Sequence, residues 1–175
     1  SSYADQALNN LARVLLRQGK VDEAKRLLEK KIHSGYDSSD GIFFHVKKDD
    51  STLWLWTQAV LHDGDTVSSM QALKNYLLHS KDGLHRDDAM LELGELAIKM
   101  HRDEMALGYF EEVAKTSKDD SMAQVAKIKA ADFYFDRGRF REAKDRYVSL
   151  LKDATGDLRK KSLLRQILCE YKLGN

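Results

Sequence analysis

The sequence predicts an all-α fold, a right-handed α-α superhelix of about four helix hairpins followed by a C-terminal capping helix. Three observations carry this expectation. A small residue is followed four positions later by leucine or an aromatic in four places: Ala24 and Leu28, Ser69 and Leu73, Ala106 and Phe110, Ala143 and Tyr147. Twelve residues before each of these small residues stands another one, at Ala12, Thr57, Gly94 and Ala131. Between each pair falls a turn position, occupied by Gly19, Gly64, His101 and Gly138.

Each of these positions has a physical use. A small residue midway along each helix lets the two helices of a hairpin approach closely, and the large residue one turn later fills the space beside the contact. Glycine at the turn accepts the positive φ that ends the first helix. A single hairpin leaves an apolar face open, so several must stack to bury it. The pattern places helices at about 3–18 and 21–34, 51–63 and 66–80, 85–100 and 103–117, and 121–137 and 140–154, with a ninth at about 157–173. Asp65 with Thr66, Asp87 with Asp88, Asp119 to Ser121, and Gly156 with Asp157 supply helix-start signals. Proline is absent, so glycine and clusters of Asn, Asp and Ser punctuate the chain.

The ninth helix carries Leu163, Leu164, Ile167, Leu168 and Tyr171 at helical spacing, a face expected to cover the last hairpin. The same helix could instead open a further repeat of a longer protein. Residues 35–50 break the pattern. There the run Ile42, Phe43, Phe44 is expected either to fold over Trp54 and the first hairpin or to stand out as an apolar second patch for a partner.

These residues resemble the tetratricopeptide repeat family. The likeness is carried by Leu93, Gly94, Ala97, Ala106 and Phe110 in one unit and by Ala131, Tyr134, Gly138, Ala143 and Tyr147 in the next. It covers nearly the whole chain, most strongly over 85–154, and implies a single repeat domain over 1–175, whole or part of a longer protein. Three departures stand out. The proline that usually closes each repeat is missing, the spacing between later anchors is longer than the family's, and the first junction is longer still. Lengthened helices of this sort are similar to bacterial cell-envelope members, so the cell envelope or periplasm and the cytoplasm both stay open.

The resemblance implies protein binding by the first helix of each hairpin, which lines a concave groove in this family. Carried onto this sequence, the groove takes Asn9, Arg13 and Arg17 from the first hairpin and Trp54, Gln58 and His62 from the second. The third supplies Leu91, Glu95 and Lys99, and the fourth Ile128, Asp132, Phe135 and Asp136. Such a groove would run from basic (Arg13, Arg17) to acidic (Glu95, Asp132, Asp136), with Trp54, Ile128 and Phe135 as apolar footholds. The family's clamp for a terminal carboxylate is not matched, because Asp88 and Glu92 stand at its third-repeat positions. The expected function is a non-enzymatic adaptor or scaffold binding a partner's peptide or helix; self-assembly into an oligomer or filament is the alternative.

Chemistry finds little support. No phosphate-binding glycine loop, Cys-x-x-Cys, His-Glu-x-x-His or nucleophile elbow is present. The six histidines (33, 45, 62, 79, 85, 101) never fall three or four residues apart, so no metal site, catalytic residue or cofactor is expected. Acid pairs such as Glu111–Glu112 are adjacent and diverge on a helix. With 29 Lys and Arg against 28 Asp and Glu, nothing marks a nucleic-acid or membrane surface. The single cysteine, Cys169, excludes an intrachain disulfide.

Overall fold

The structure, a computed structural model, describes residues 3–33 and 50–174. These form nine helices and no strand: α1 (Tyr3–Arg17), α2 (Val21–His33), α3 (Asp50–His62), α4 (Thr66–His79), α5 (Arg86–Lys99), α6 (Asp103–Thr116), α7 (Asp120–Asp136), α8 (Phe140–Leu150) and α9 (Gly156–Leu173). The expected boundaries hold to within two residues except at α8. That helix stops at Leu150, and Leu151–Asp153 turn so that Ala154 can be buried. The insertion expected at 35–50, with the Ile42, Phe43, Phe44 patch, lies outside the described residues apart from Asp50, which opens α3.

The helix ends follow local chemistry. Asp65 caps α4 by accepting from the backbone N–H groups of Val67 and Ser68, both at 3.2 Å. Asp119 does the same for α7 with Ser121 at 2.8 Å and Met122 at 3.3 Å. At the four hairpin turns the backbone has positive φ, 74° at Gly19, 75° at Gly64, 56° at His101 and 71° at Gly138. Histidine at the third turn adopts the left-handed conformation that glycine reaches without strain.

The chain divides into two compact units, one up to Ala89 and one from Met90, with the boundary inside α5. In the first, α1 packs on α2 and α3, α2 on α3, and α3 on α4. Ala12, Leu28 and Leu55 form its inner cluster, with Leu8, Leu16, Leu27 and Trp56 against them. In the second, α6 packs on α7, α7 on α8 and α8 on α9. Ile128, Ala131, Phe133, Tyr134, Ala143, Tyr147, Leu150 and Cys169 form its cluster. Every small and large anchor read from the repeat is buried, from Ala12 and Ala24 to Ala143 and Tyr147.

Gly94 shows why one anchor is the smallest residue of all. A Cβ there would stand 2.8 Å from Phe110 Cζ and 2.9 Å from Cδ1, closer still to Cε1. The Phe110 ring, fully buried, lies directly against the α5 backbone.

One expectation is corrected. The apolar side of α9 does not cover the last hairpin: Leu163, Leu164, Ile167, Leu168 and Tyr171 are all exposed. The helix instead buries Ser162 and Cys169 against the unit, with Leu158 packed beside them. Close helix approach needs small residues at the contact, and on α9 those lie opposite the bulky stripe.

Candidate protein-binding surface

The expected groove residues sit on α1, α3, α5 and α7, but the structure gives them different situations. On α1, Arg13 and Arg17 are exposed, whereas Asn9 is buried. Asn9 Oδ1 accepts from the Thr52 hydroxyl at 3.0 Å, and Thr52 Oγ1 in turn accepts from Lys31 Nζ at 2.7 Å. Asn9 therefore ties α1 to α3 through a buried polar relay that also reaches α2.

On α3, His62 is exposed, Gln58 half-buried, and Trp54 is held by aromatic neighbours. The indole stacks on the His85 ring with centroids 4.7 Å apart and planes 10° from parallel, and tilts against Tyr76 at 5.1 Å. Below it, Asp50 accepts from the Tyr76 hydroxyl at 2.7 Å and from the Leu84 N–H at 3.3 Å. Burial, and then the Asp50 carboxylate, push the Tyr76 phenol far above its ordinary pKa. Trp54 is thus an aromatic fixed in place, with part of its surface still open.

On α5, Leu91 is buried, Lys99 exposed, and Glu95 half-buried in an ion pair with Lys129 of α7. On α7, Ile128 is buried in the core and Asp136 is exposed. Phe135 is half-buried, edge-on to Phe140 at 5.4 Å, with the Arg165 guanidinium 4.6 Å over its face. Asp132 is the hub of a local network. It accepts from the Tyr147 hydroxyl and from Lys161 Nζ at 2.7 Å, and Arg165 Nε stands 3.5 Å away.

Among the described residues, no group of three or more His, Cys, Asp or Glu could hold a metal ion. No described helix is long and apolar enough to cross a membrane. A cavity of about 330 Å³ in the second unit is lined by Asp103, Glu104, Leu107, Phe133, Arg137 and Arg139. Its principal charges are spent internally, since Arg137 Nε donates to Asp103 at 2.8 Å and its guanidinium lies 5.1 Å from the Phe133 ring centre.

Against known proteins, residues 6–30 match the tetratricopeptide repeat family. No curated protein matches the chain in sequence. Solved structures match it in fold. Kinesin-light-chain-type TPR-like repeats from Podosopora anserina superpose with a TM-score of 0.66 at 19% identity, over 97% of this chain and 86% of that one. A double mutant of MamA RS-1 gives 0.68 at 16% identity, over 98% and 86%. YrrB, described as a TPR protein with an unusual peptide-binding site, gives 0.63 at 14% identity, over 96% and 77%. The chain has the tetratricopeptide-repeat fold.

In tetratricopeptide terms, Gly94, Ala106 and Phe110, like Ala131, Ala143 and Tyr147, are hairpin-closing positions, and the structure buries all six. Four neighbours of the candidate groove residues were not foreseen from the sequence: His85 under Trp54, Lys129 on Glu95, and Lys161 and Arg165 on Asp132. A signal for some of them exists. Lys129 lies 34 residues after Glu95, Arg137 34 after Asp103, and Arg146 35 after Glu111, each an ion pair. Opposite charges one repeat apart mark contacts between successive hairpins.

Proposed function

We propose that the chain is a non-enzymatic protein–protein interaction module, an adaptor or scaffold whose hairpins offer their first helices to a peptide or helix of a partner. The observation that carries this reading is the division of labour on those helices. Asn9, Leu91 and Ile128 are turned inward and position the helices, while Arg13, Arg17, His62, Lys99 and Asp136 are exposed and Trp54, Gln58 and Phe135 are half-buried. Aromatics already held by stacking lose little freedom when a partner covers them, which suits them as anchors. The likeness to YrrB, a protein described by its peptide-binding site, supports the same reading. We read residues 1–175 as one array, supported by α5, a single helix with residues in both units.

The polarity of the groove becomes simpler. Glu95 and Asp132 are neutralised by Lys129, Lys161 and Arg165, so the open charges are the cations Arg13, Arg17 and Lys99 together with Asp136. A photo-crosslinking side chain placed at Gln58 or at Lys99 in the full chain should trap the partner. The same group at Lys30, Lys74 or Lys115, exposed on second helices, should not. Crosslinks arising only from the second-helix positions would overturn the assignment.

A further inference from the structure

The loop between α4 and α5, residues 80–85, has six residues where the α6–α7 junction, 117–119, has three. The extra length is ordered. The Gly83 N–H donates to Ser80 O at 3.0 Å and the Arg86 N–H to Gly83 O at 3.1 Å, so the loop is two successive turns. It is also pinned to the start of α3. Asp50 accepts from the Leu84 N–H at 3.3 Å and from the Tyr76 hydroxyl at 2.7 Å, and the His85 N–H donates to that same hydroxyl at 3.3 Å. Gly83 sits against this knot. A Cβ there would stand 2.5 Å from the Tyr76 hydroxyl and 2.9 Å from Ser80 Cβ, and closer still to Asp50 Oδ1. Gly83 is not one of the positive-φ residues, so lack of space and not backbone conformation demands glycine.

The loop delivers one side chain to the groove candidates. His85 lays its ring on the Trp54 indole, 4.7 Å between centroids and 10° from parallel, while its Nδ1 lies 3.1 Å from Asp88 Oδ2 one turn into α5. The His85 carbonyl accepts the Ala89 N–H at 2.9 Å, so the residue that stacks on α3 also opens α5. Tyr76, which holds the loop through its hydroxyl, tilts its own ring against the same indole at 5.1 Å. A tryptophan side chain is free to turn about its outer torsion unless its neighbours prevent it. Here one neighbour belongs to the loop and the other holds the loop in place.

We propose that the α4–α5 loop is a positioning element for partner binding: His85 sets the orientation of Trp54 and covers one face of its indole, and Asp50 and Gly83 hold the loop where His85 can do so. The inference rests on the reading of Trp54 as a partner contact. Asp50 and Gly83 need touch no partner, because they act through His85. A loose indole would have to be ordered when a partner arrives, whereas a stacked one is ordered beforehand and binding loses less to entropy.

The chain has two tryptophans, so Trp56→Phe leaves Trp54 as the sole indole emitter. In that background, acrylamide quenching of the full chain reads access to Trp54. His85→Ala should raise the Stern–Volmer constant about twofold, because it uncovers a ring face. Gly83→Ala should raise it as well by displacing the loop, and His85→Phe should restore it, since a flat ring can stack without the imidazole's polar atoms. Circular dichroism should show helicity retained in the His85 variants, whose side chain is partly exposed. A photo-crosslinking group at Gln58, one turn from Trp54, supplies the second readout in an extract of the source cells. His85→Ala should lower its yield about threefold or more, and His85→Phe should recover most of the loss. Quenching unchanged by both His85→Ala and Gly83→Ala would overturn the proposal, and so would a Gln58 crosslink indifferent to His85→Ala. Absence of any crosslink from the unaltered groove at Gln58 and at Lys99 would overturn the groove reading itself, and this inference with it.

Discussion

Replacing Gly94 with alanine tests the close approach of the Phe110 ring to the α5 backbone. An added methyl group would stand 2.8 Å from Phe110 Cζ and 2.9 Å from Cδ1, far inside van der Waals contact. The ring is fully buried, so it can yield only by moving α6 away from α5 or by leaving its rotamer. Overpacking of this kind costs about 1–3 kcal/mol. Alanine recovers about 1 kcal/mol of helix propensity in the middle of α5. The net expectation is a change between neutral and a loss of about 2 kcal/mol in urea unfolding followed by circular dichroism.

The control lies one helix away. Gly108 is also helical, but a Cβ there meets nothing within 4 Å. Gly108→Ala should therefore stabilise by about 0.5–1 kcal/mol. Combining Gly94→Ala with Phe110→Leu, which removes the colliding ring, should cost less than the two single changes summed, by more than about 0.5 kcal/mol. If Gly94→Ala proves as stabilising as Gly108→Ala, the close approach of Phe110 to the α5 backbone is wrong.

Further outcomes follow from single residues. His101 holds φ at 56° where the other hairpin turns have glycine, so His101→Gly should raise stability by about 1 kcal/mol in the same assay. The Ser162 hydroxyl is buried without a hydrogen bond among the described residues, and Ser162→Ala should be neutral or stabilising by up to about 2 kcal/mol. Burial and then Asp132 raise the Tyr147 phenol above its ordinary pKa of 10.0, so the folded state holds that proton more tightly than the unfolded one. That contribution is complete below pH 10 and is lost as pH rises beyond it; Tyr147→Phe should flatten the decline in a stability–pH series. Burial likewise raises the Cys169 thiol, so a thiol reagent should modify it at the rate at which α9 detaches and not at the rate of an open cysteine.

The hairpin skeleton was legible because its positions obey geometry alone. Two helices can close only where a small residue meets a filling one, and the sequence repeats that pair at Ala24 and Leu28, Ser69 and Leu73, Ala106 and Phe110, Ala143 and Tyr147. All eight are buried. The turn glycines were legible for the same reason, since each must take positive φ. The face of α9 was not. Spacing reveals that Leu163, Leu164, Ile167, Leu168 and Tyr171 share a side, but amphipathicity alone does not say which neighbour that side meets. The assumption that a last helix buries its bulkiest face failed because Ser162 and Cys169 permit a closer approach to the rest of the unit.

The same distinction governs the charges expected to line the groove. Glu95 and Asp132 stand at positions that the family resemblance assigns to the groove, and nothing in their local sequence separates them from Asp136. Their difference comes from residues a repeat away: Lys129 for Glu95, and Lys161 with Arg165 for Asp132. Half-exposed pairs of this kind contribute little net stability. Their stronger effect is on recognition, because an acid already answered by a neighbouring hairpin offers an incoming cation no unpaired charge. What remains open among the groove candidates is Arg13, Arg17 and Lys99 together with Asp136. On the proposed groove reading, three of these four open charges are cations, which favours a partner segment that carries acids.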